Sequence, residues 1–266
     1  MYQLGLRAVY QKDIKTAILE EKRTGFDFLK IHFSSPQFLP QNYTIEQAKE
    51  MKVFANKNGI AIQTHAEIGQ SMILVDDILR EAEKKKLKRM VNFSKNIGAT
   101  CLTLHPGKAS GYYSGPGGNI HNDDVYLKYY ADLFEDSLKY ITSIATKEVC
   151  ICIENTDNFN SLYQKLLTKY LKTEKVFLTW DIMKGYSSHK PEMKLYEDRA
   201  SFLKKNIKYV RNLHISGPSH SGLEGYEKPF CAFFDLFKDR NIPMVIEIIS
   251  LSEAVHAKKI MRDLGY

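Results

Sequence analysis

One unit of punctuation recurs along this chain: an amphipathic segment, a turn residue that is often glycine, a short apolar run, and a polar residue that closes the run. Such a unit is a helix handing over to a strand, and its repetition constrains the fold more than any single motif does. Thr44-Ile45-Glu46-Gln47 is a capping-box pattern that opens a helix with apolar positions Ala48, Met51 and Ala55, and Gly59 stops it. Ile60 to His65 then reads as a strand. Leu87, Met90, Val91 and Ile97 share one stripe of a longer helix, which ends at Gly98 and hands over to Cys101-Leu102-Thr103-Leu104-His105. The segment through Leu127, Tyr130, Ala131, Phe134, Leu138, Ile141 and Ala145 has the clearest helical period, and Val149 to Glu154 follows it. Val176 to Asp181, Val210 to Ile215 and Met244 to Ile248 complete the series, while Gln3 to Val9 and Phe28 to Phe33 supply the first two strands. Short helices are expected around Leu162 to Lys169 and Phe233 to Arg240, and a last one from Ser252 to Leu264.

Eight such units in 266 residues predict an α/β chain closed as a single (β/α)8 TIM barrel, one domain over residues 1–266. Barrels of this kind commonly run to about 250 residues, whereas an open doubly wound sheet would carry a GxGxxG turn after its first strand, and none is present. A hydrophobic share of 44% and a charged share of 26% are those of an ordinary soluble globular protein. No stretch is long enough to span a bilayer, so no membrane partner is expected. Met1 to Arg7 lacks a basic region followed by an apolar run, which makes the cytoplasm the expected location. Cys101, Cys150, Cys152 and Cys231 form no metal-knuckle spacing and read as buried thiols. The net charge of +7 would suit a polyanion, but the lysines are spread along helices such as Glu83 to Arg89. A basic helix face of that kind is usually solvated, so a nucleic-acid partner is less favoured than a small molecule.

In a closed parallel barrel the loops after the strand carboxyl ends form the active face, so polar residues closing the strands point at its mouth. Those residues are His32, His65, His105, Glu154, Asp181, His214 and Glu247. Side chains alternate along a strand, so Cys150 and Cys152 share the inner face with Glu154, as Cys101 and Thr103 do with His105. Carboxylates are rarely buried without a partner, and three of them meeting His214 at one mouth call for a cation between them. A divalent metal held by Glu154, Asp181, His214 and Glu247 answers that need, and carboxylate with imidazole suits Mn, Mg, Co or Zn. The competing reading is neutralisation by Lys184, His220 or Arg211 as ordinary ion pairs. His65 and His105 are candidates for a second metal or for substrate contact. His32 is taken as structural, as are His121, His189 and His256.

Ile153-Glu154-Asn155-Thr156, Trp180-Asp181-Ile182, Leu213-His214-Ile215-Ser216 and Ile246-Glu247-Ile248, in that order on successive strands, resemble the xylose isomerase-like TIM barrels. That superfamily includes sugar-phosphate isomerases and epimerases, ketose 3-epimerases, inosose dehydratases and the endonuclease IV branch of abasic-site nucleases (AP endonuclease family 2). In the isomerase and epimerase members such a Glu-Asp-His-Glu set binds one divalent metal, and the two glutamates also move the proton. The resemblance therefore implies Glu154 and Glu247 as the acid/base pair. A metal on the substrate's carbonyl and neighbouring hydroxyl makes the adjacent C–H acidic enough for a carboxylate to remove. Return of the proton to the opposite face gives epimerisation, and return to the neighbouring carbon gives aldose–ketose isomerisation.

The nuclease branch holds three zinc ions, and His65, His105 with Pro106-Gly107, Glu154, Asp181, His214 and Glu247 match the ligands of two. The third set is missing: its histidine three residues after the aspartate is Lys184, and its Asp-x-His has no counterpart in Gly222 to Pro229. Ketose epimerases usually place a histidine where Lys184 stands and an arginine where His220 stands. Lys184 and His220 are then expected to bind substrate, which suits a sugar bearing a phosphate or carboxylate. The segment Pro106 to Gly118 is long for its place and reads either as a lid, with Tyr112 or Tyr113 stacking on substrate, or as a loop with no function of its own; Ile182 to Pro191 and Ser216 to Phe230 are similarly placed. The expected function is a divalent-metal-dependent isomerase or epimerase of a small sugar or sugar derivative. The alternatives are a two-metal abasic-site nuclease or other phosphodiesterase, and a non-catalytic metal-binding barrel.

Overall fold

The computed structural model describes residues 2–67, 69–109, 112–115, 118–156, 159–185 and 197–266. Its strands are β1 (Leu4–Ala8), β2 (Phe28–His32), β3 (Ala61–His65), β4 (Ala99–Leu104), β5 (Tyr112–Gly115), β6 (Gly118–His121), β7 (Cys150–Glu154), β8 (Val176–Asp181), β9 (Val210–Ile215) and β10 (Met244–Ile246). Eight of them form a closed barrel in the order β1-β2-β3-β4-β7-β8-β9-β10, and every neighbouring pair is parallel. β5 and β6 make a separate antiparallel hairpin.

The helices between them are α1 (Ile14–Thr24), α2 (Ile45–Asn58), α3 (Asp77–Ile97), α4 (Asn122–Val125), α5 (Leu127–Ile144), α6 (Ser161–Leu171), α7 (Glu197–Asn206), α8 (Glu227–Phe234) and α9 (Leu251–Asp263). With the single turn α4 set aside, one helix follows each barrel strand, so the eight-unit expectation holds. Local chemistry sets several of the boundaries. The capping box of Thr44 and Gln47 opens α2, while Gly59 and Gly98 end α2 and α3 in the left-handed conformation at φ 72° and 76°, which other residues rarely adopt. Among the described residues no helix is long and apolar enough to cross a membrane.

Two helix expectations need correction. The seventh barrel helix does not run from Phe233 to Arg240: it is α8, followed by a 3-10 turn over Asp235–Phe237. Pro229 made this stretch look like loop, yet it lies in the first turn of α8, where N–H groups have no intrahelical acceptor and a proline is tolerated. The other short helix runs from Ser161 through Leu171, and Asn160 opens it by accepting from the N–H groups of Leu162 and Tyr163 with its side-chain oxygen.

The core has two unlike parts. Outward-facing strand residues such as Leu29, Ile31, Leu102, Leu104, Ile151, Ile153, Leu178, Trp180, Leu213 and Ile215 are fully buried under the helices. Inside the cylinder the filling is polar above its floor, with Lys30, Gln63, Thr103, Thr179, Asn212 and His214 all buried. Barrel interiors are more often packed with branched aliphatic side chains, so this one departs from the usual filling. Cys101 and Cys152 lie in the same interior with Sγ atoms 3.3 Å apart, while Cys150 and Cys231 are only partly buried, and all four thiols are free.

Candidate metal centre

β7, β8, β9 and β10 each bring one expected ligand to the same end of the barrel. Glu154 and Asp181 are the last residues of β7 and β8, His214 is next to last in β9, and Glu247 follows β10 directly. All four are buried, and donor atoms of Asp181, His214 and Glu247 lie within 4.8 Å of one another, as do those of His65, Glu154 and His214. Glu154 Oε2 is the hub: it stands 3.2 Å from His65 Nε2, 3.2 Å from His105 Nε2 and 3.4 Å from His214 Nδ1. Glu247 Oε1 is 3.3 Å from the same His214 Nδ1. Every strand-end residue singled out in the sequence as a ligand or second-site candidate therefore belongs to one cluster.

Neighbouring groups fix these side chains. Asn155, from the Glu-Asn-Thr motif, accepts from the Asp181 N–H at 2.6 Å and donates to the Asp181 carbonyl at 2.9 Å, which bolts the end of β7 to the end of β8. Asp181 Oδ1 accepts from the N–H groups of Met183 and Lys184, at 2.8 and 3.3 Å, leaving its second oxygen for the cluster. His65 Nδ1 lies 2.8 Å from the Ala66 carbonyl, which can only accept, so Nδ1 carries the proton and Nε2 presents a bare lone pair to Glu154. Burial pushes His65 down to about 4, which keeps that lone pair free at neutral pH.

Burial alone would raise Glu154, but His214 and His105 outweigh it and hold its carboxyl well below the usual range. A bare imidazole nitrogen and an ionised carboxylate facing each other at 3.2 Å are two acceptors without a proton between them. His214 Nδ1 and Glu247 Oε1 stand 3.3 Å apart, both buried and without a hydrogen-bond partner among the described residues. A cation among these atoms would satisfy all of them, so the donor set fits a divalent ion. Asp181 is pushed up to about 8 by burial and by the charges of Glu154 and Glu247, which leaves it protonated at neutral pH until such a charge arrives.

Of the three expected neutralising groups, Arg211 is turned away, while the charge of Lys184 still reaches Asp181. Arg211 lies over the Phe177 ring at 4.5 Å, and its Nη1 donates to the carbonyls of Lys208 and Val210, so it takes no part in the cluster. Lys184 is exposed at the rim, and His220 is half-buried in the loop after β9. Ser219 and His220 there adopt left-handed backbone at φ 54° and 60°, a strained pair of the sort found beside binding sites.

Two cations went unrecognised in the sequence. Lys30 is fully buried, with Nζ 2.8 Å from Thr103 Oγ1 and 2.5 Å from His214 Nε2. Burial lowers its pKa, and its contact with Nε2 leaves Nδ1 as the ring nitrogen of His214 that faces the cluster. Arg7 pairs in register with Lys30, and its charge is felt by His32, His220 and Glu247. The signal was parity: Lys30 and Arg7 sit two residues from inward-facing His32 and Gly5, so the period of a strand puts both inside the barrel. His32, expected to be structural only, stacks on His65 at 4.3 Å and so forms a wall of the site. His256 pairs with Glu224 on the surface, at 3.0 Å. The side chains of Tyr112, Tyr113 and His121 lie outside the described residues, as do Ser110, Gly111, Pro116, Gly117 and the segment 186–196 that holds His189 and Pro191.

The family model of the xylose isomerase-like TIM barrels matches residues 19–264. The chain belongs to that family. No curated protein matches its sequence. Among solved structures, a D-tagatose 3-epimerase-like protein superposes with a TM-score of 0.75 at 14% identity, covering 98% of this chain and 96% of its own. The 3-keto-D-glucoside 4-epimerase of E. coli gives 0.73 at 12% identity, over 100% and 99%. A D-allulose 3-epimerase from Methylomonas sp. in complex with D-allulose gives 0.70 at 14%, over 98% and 96%. At such identities the likeness establishes the shared xylose isomerase-like barrel, and chemistry must be argued from the side chains.

Proposed function

We propose that this barrel, acting as one domain over residues 1–266, is a divalent-metal-dependent isomerase or epimerase of a small sugar or sugar derivative. The observation that carries the reading is the meeting of Glu154, Asp181, His214 and Glu247 at one mouth, with His214 Nδ1 and Glu247 Oε1 buried and unpartnered. The epimerases named above, alike in fold, support the same choice. Glu154, Asp181, His214 and Glu247 would hold the ion, which supplies Lewis-acid polarisation of a sugar carbonyl.

This chain's own residues do the rest. Glu154 and Glu247 are held below the usual carboxylate range, although burial opposes it, by the imidazoles around them, His214 foremost; each is therefore ionised and able to accept a proton from carbon. Approaching the sugar from different strands, one in its ionised form removes the proton, and the other supplies a proton that it has first taken up from solvent. Asn155 and Lys30 hold Asp181 and His214 in place meanwhile. The test is a screen of ketose and aldose interconversion with added Mn2+, using wild-type protein and Glu154→Gln. Turnover in the first and a loss of about a thousandfold or more in the second is the expected result, given the weight of a positioned acid/base group. Full activity in Glu154→Gln would end the assignment.

His65 and His105, both on Glu154 Oε2, favour a second reading: a two-metal phosphodiesterase. Lys184 stands where the third nuclease metal would need a histidine. Nicking of a duplex containing an abasic site decides between the two readings, and the sugar reading predicts none.

A further inference from the structure

Arg7 brings a guanidinium into the barrel interior. There Lys30 is tied to Thr103 and His214, and Thr103 to Thr179, while Gln63 and Asn212 carry buried side-chain atoms with no hydrogen-bond partner among the described residues. Arg7 is half-buried, its Nε is fully buried without a hydrogen-bond partner, and among the described residues it makes no ion pair. A guanidinium carries five fixed donors; the buried Nε–H is the one left unmet here, and a buried donor without a partner is costly unless a ligand meets it.

Position tells where that ligand would lie. Gly5 and Arg7 share one face of β1, and a side chain on Gly5 would strike the Phe28 ring on β2, which places this face inside the cylinder. Leu6 is level with Ile246 on β10, so Arg7 comes alongside Glu247, the proposed ligand and acid/base residue. The ring of His220 lies against the backbone of the same Glu247, and its Nδ1 is a second buried atom with no hydrogen-bond partner among the described residues. Lys184 stands on the same side, close enough for its charge to act on both Asp181 and His220. Two unmet polar groups and an exposed ammonium thus gather on one flank of the mouth, beside the carboxylates and not among them.

The chemistry of that flank selects a partner. A neutral sugar offers hydroxyls, which donate as readily as they accept, while the Arg7 fork offers donors only. A phosphate or carboxylate offers acceptors only and takes a guanidinium in two parallel hydrogen bonds. Charge agrees: three ionised carboxylates are outweighed by a divalent ion together with Arg7 and Lys184, even with Lys30 uncharged. We propose that Arg7, flanked by His220 and Lys184, binds an oxyanion on the substrate, so that the site takes a sugar phosphate or a sugar acid in preference to a neutral sugar. This rests on the sugar isomerase or epimerase reading for the sugar, but the oxyanion site stands on Arg7 itself.

The experiment is calorimetric titration of the Mn2+-loaded protein with two matched pairs, D-fructose 6-phosphate against D-fructose and D-glucuronate against D-glucose. The wild type is expected to bind the anionic member of at least one pair about tenfold or more tightly, and the pair that responds says whether phosphate or carboxylate is the group recognised. Arg7→Gln is expected to erase that preference while binding Mn2+ as the wild type does and melting at the same temperature or higher, since an unpaired charge has been removed from a half-buried place. Arg7→Lys is expected to keep part of the preference. Equal binding of neutral and anionic members by the wild type, or a preference that survives Arg7→Gln, overturns the proposal, as does loss of Mn2+ binding in Arg7→Gln, which would assign the residue to the ion. An Arg7-dependent preference in a protein that interconverts no sugar would sink the isomerase reading and leave the oxyanion site standing.

Discussion

Lys30 Nζ lies 2.5 Å from His214 Nε2, a buried lysine set against a buried imidazole at the centre of the barrel. Because Lys30 occupies Nε2, Nδ1 is the nitrogen that faces Glu154 and Glu247. Which ring atom would face a bound ion is thus decided from below, by Lys30.

Lys30→Met keeps the length and the burial of this side chain and removes its nitrogen. Partners behind a metal-ligating imidazole are worth roughly 10- to 100-fold in metal affinity. Calorimetry with Mn2+ is therefore expected to show binding weakened by about tenfold or more, with an unchanged far-ultraviolet circular dichroism spectrum. Unaltered Mn2+ affinity would reduce Lys30 to a space-filling role.

Asp181 makes stability depend on pH in a way that metal should reverse. Its folded pKa is raised to about 8 from an ordinary 3.8, so its contribution to the metal-free protein is fully present below pH 3.8 and is lost as pH rises through about 8. A divalent ion needs the ionised form, so metal affinity should climb with pH over the same window, and binding at neutral pH should release a proton. At a hundred times its dissociation constant the ion would add about 2.7 kcal/mol. For a chain of this size that corresponds to a rise of roughly 5–10 °C in melting temperature. Melting curves at several pH values, with Mn2+ and with a chelator, check both signs. Curves that coincide with and without Mn2+ at every pH would contradict the metal centre.

Glu21, far from the mouth, is an independent case. It is 1% exposed on the buried face of α1, its Oε2 has no hydrogen-bond partner among the described residues, and burial raises its pKa well above 4.5. Its contribution is therefore greatest below pH 4.5 and declines as pH rises toward the folded value. Glu21→Gln does not titrate, so it should be more stable than the wild type by about 1 kcal/mol at neutral pH, with the difference shrinking in acid. Urea unfolding at two pH values measures this, and a variant less stable at neutral pH would show that Glu21 has a partner worth keeping.

Much of the barrel was legible because its strands and helices obey simple periods. Val210 to Ile215 and Val176 to Asp181 were bounded correctly from apolar runs closed by polar residues, and the capping box at Thr44 fixed the start of α2. α8 was misplaced because Pro229 and the glycines before it carry loop signals, while the feature that overrides them, a first turn without donors to satisfy, belongs to the helix as a whole. At the site, attention to the residue closing each strand found the candidate ligands that the barrel brings together and missed Lys30 and Arg7, which lie further down the same inner face. A charge in the middle of an otherwise apolar strand was there to be read, but what it touches depends on strands distant in sequence: Lys30 meets Thr103 and His214. That pairing is a product of closure.

Closure itself can be tested where β1 meets β2 at the floor of the barrel. Gly5 is level with Phe28, and a Cβ on Gly5 would come within 2.3 Å of the Phe28 ring, a distance no real contact tolerates. The ring is 2% exposed and packed, so it has little room to swing aside. Gly5→Ala should therefore destabilise the protein by about 1–3 kcal/mol through overpacking, even though alanine normally suits a strand better than glycine does. Phe28→Leu alone should also destabilise, by opening space at the same place. Combined, the two changes should offset each other, giving a double mutant more stable than the sum of the single effects allows, with a coupling of about 0.5–3 kcal/mol. Strictly additive effects in urea denaturation would mean that the two residues do not meet, and the register that carries Arg7 alongside Glu247 would lose its support.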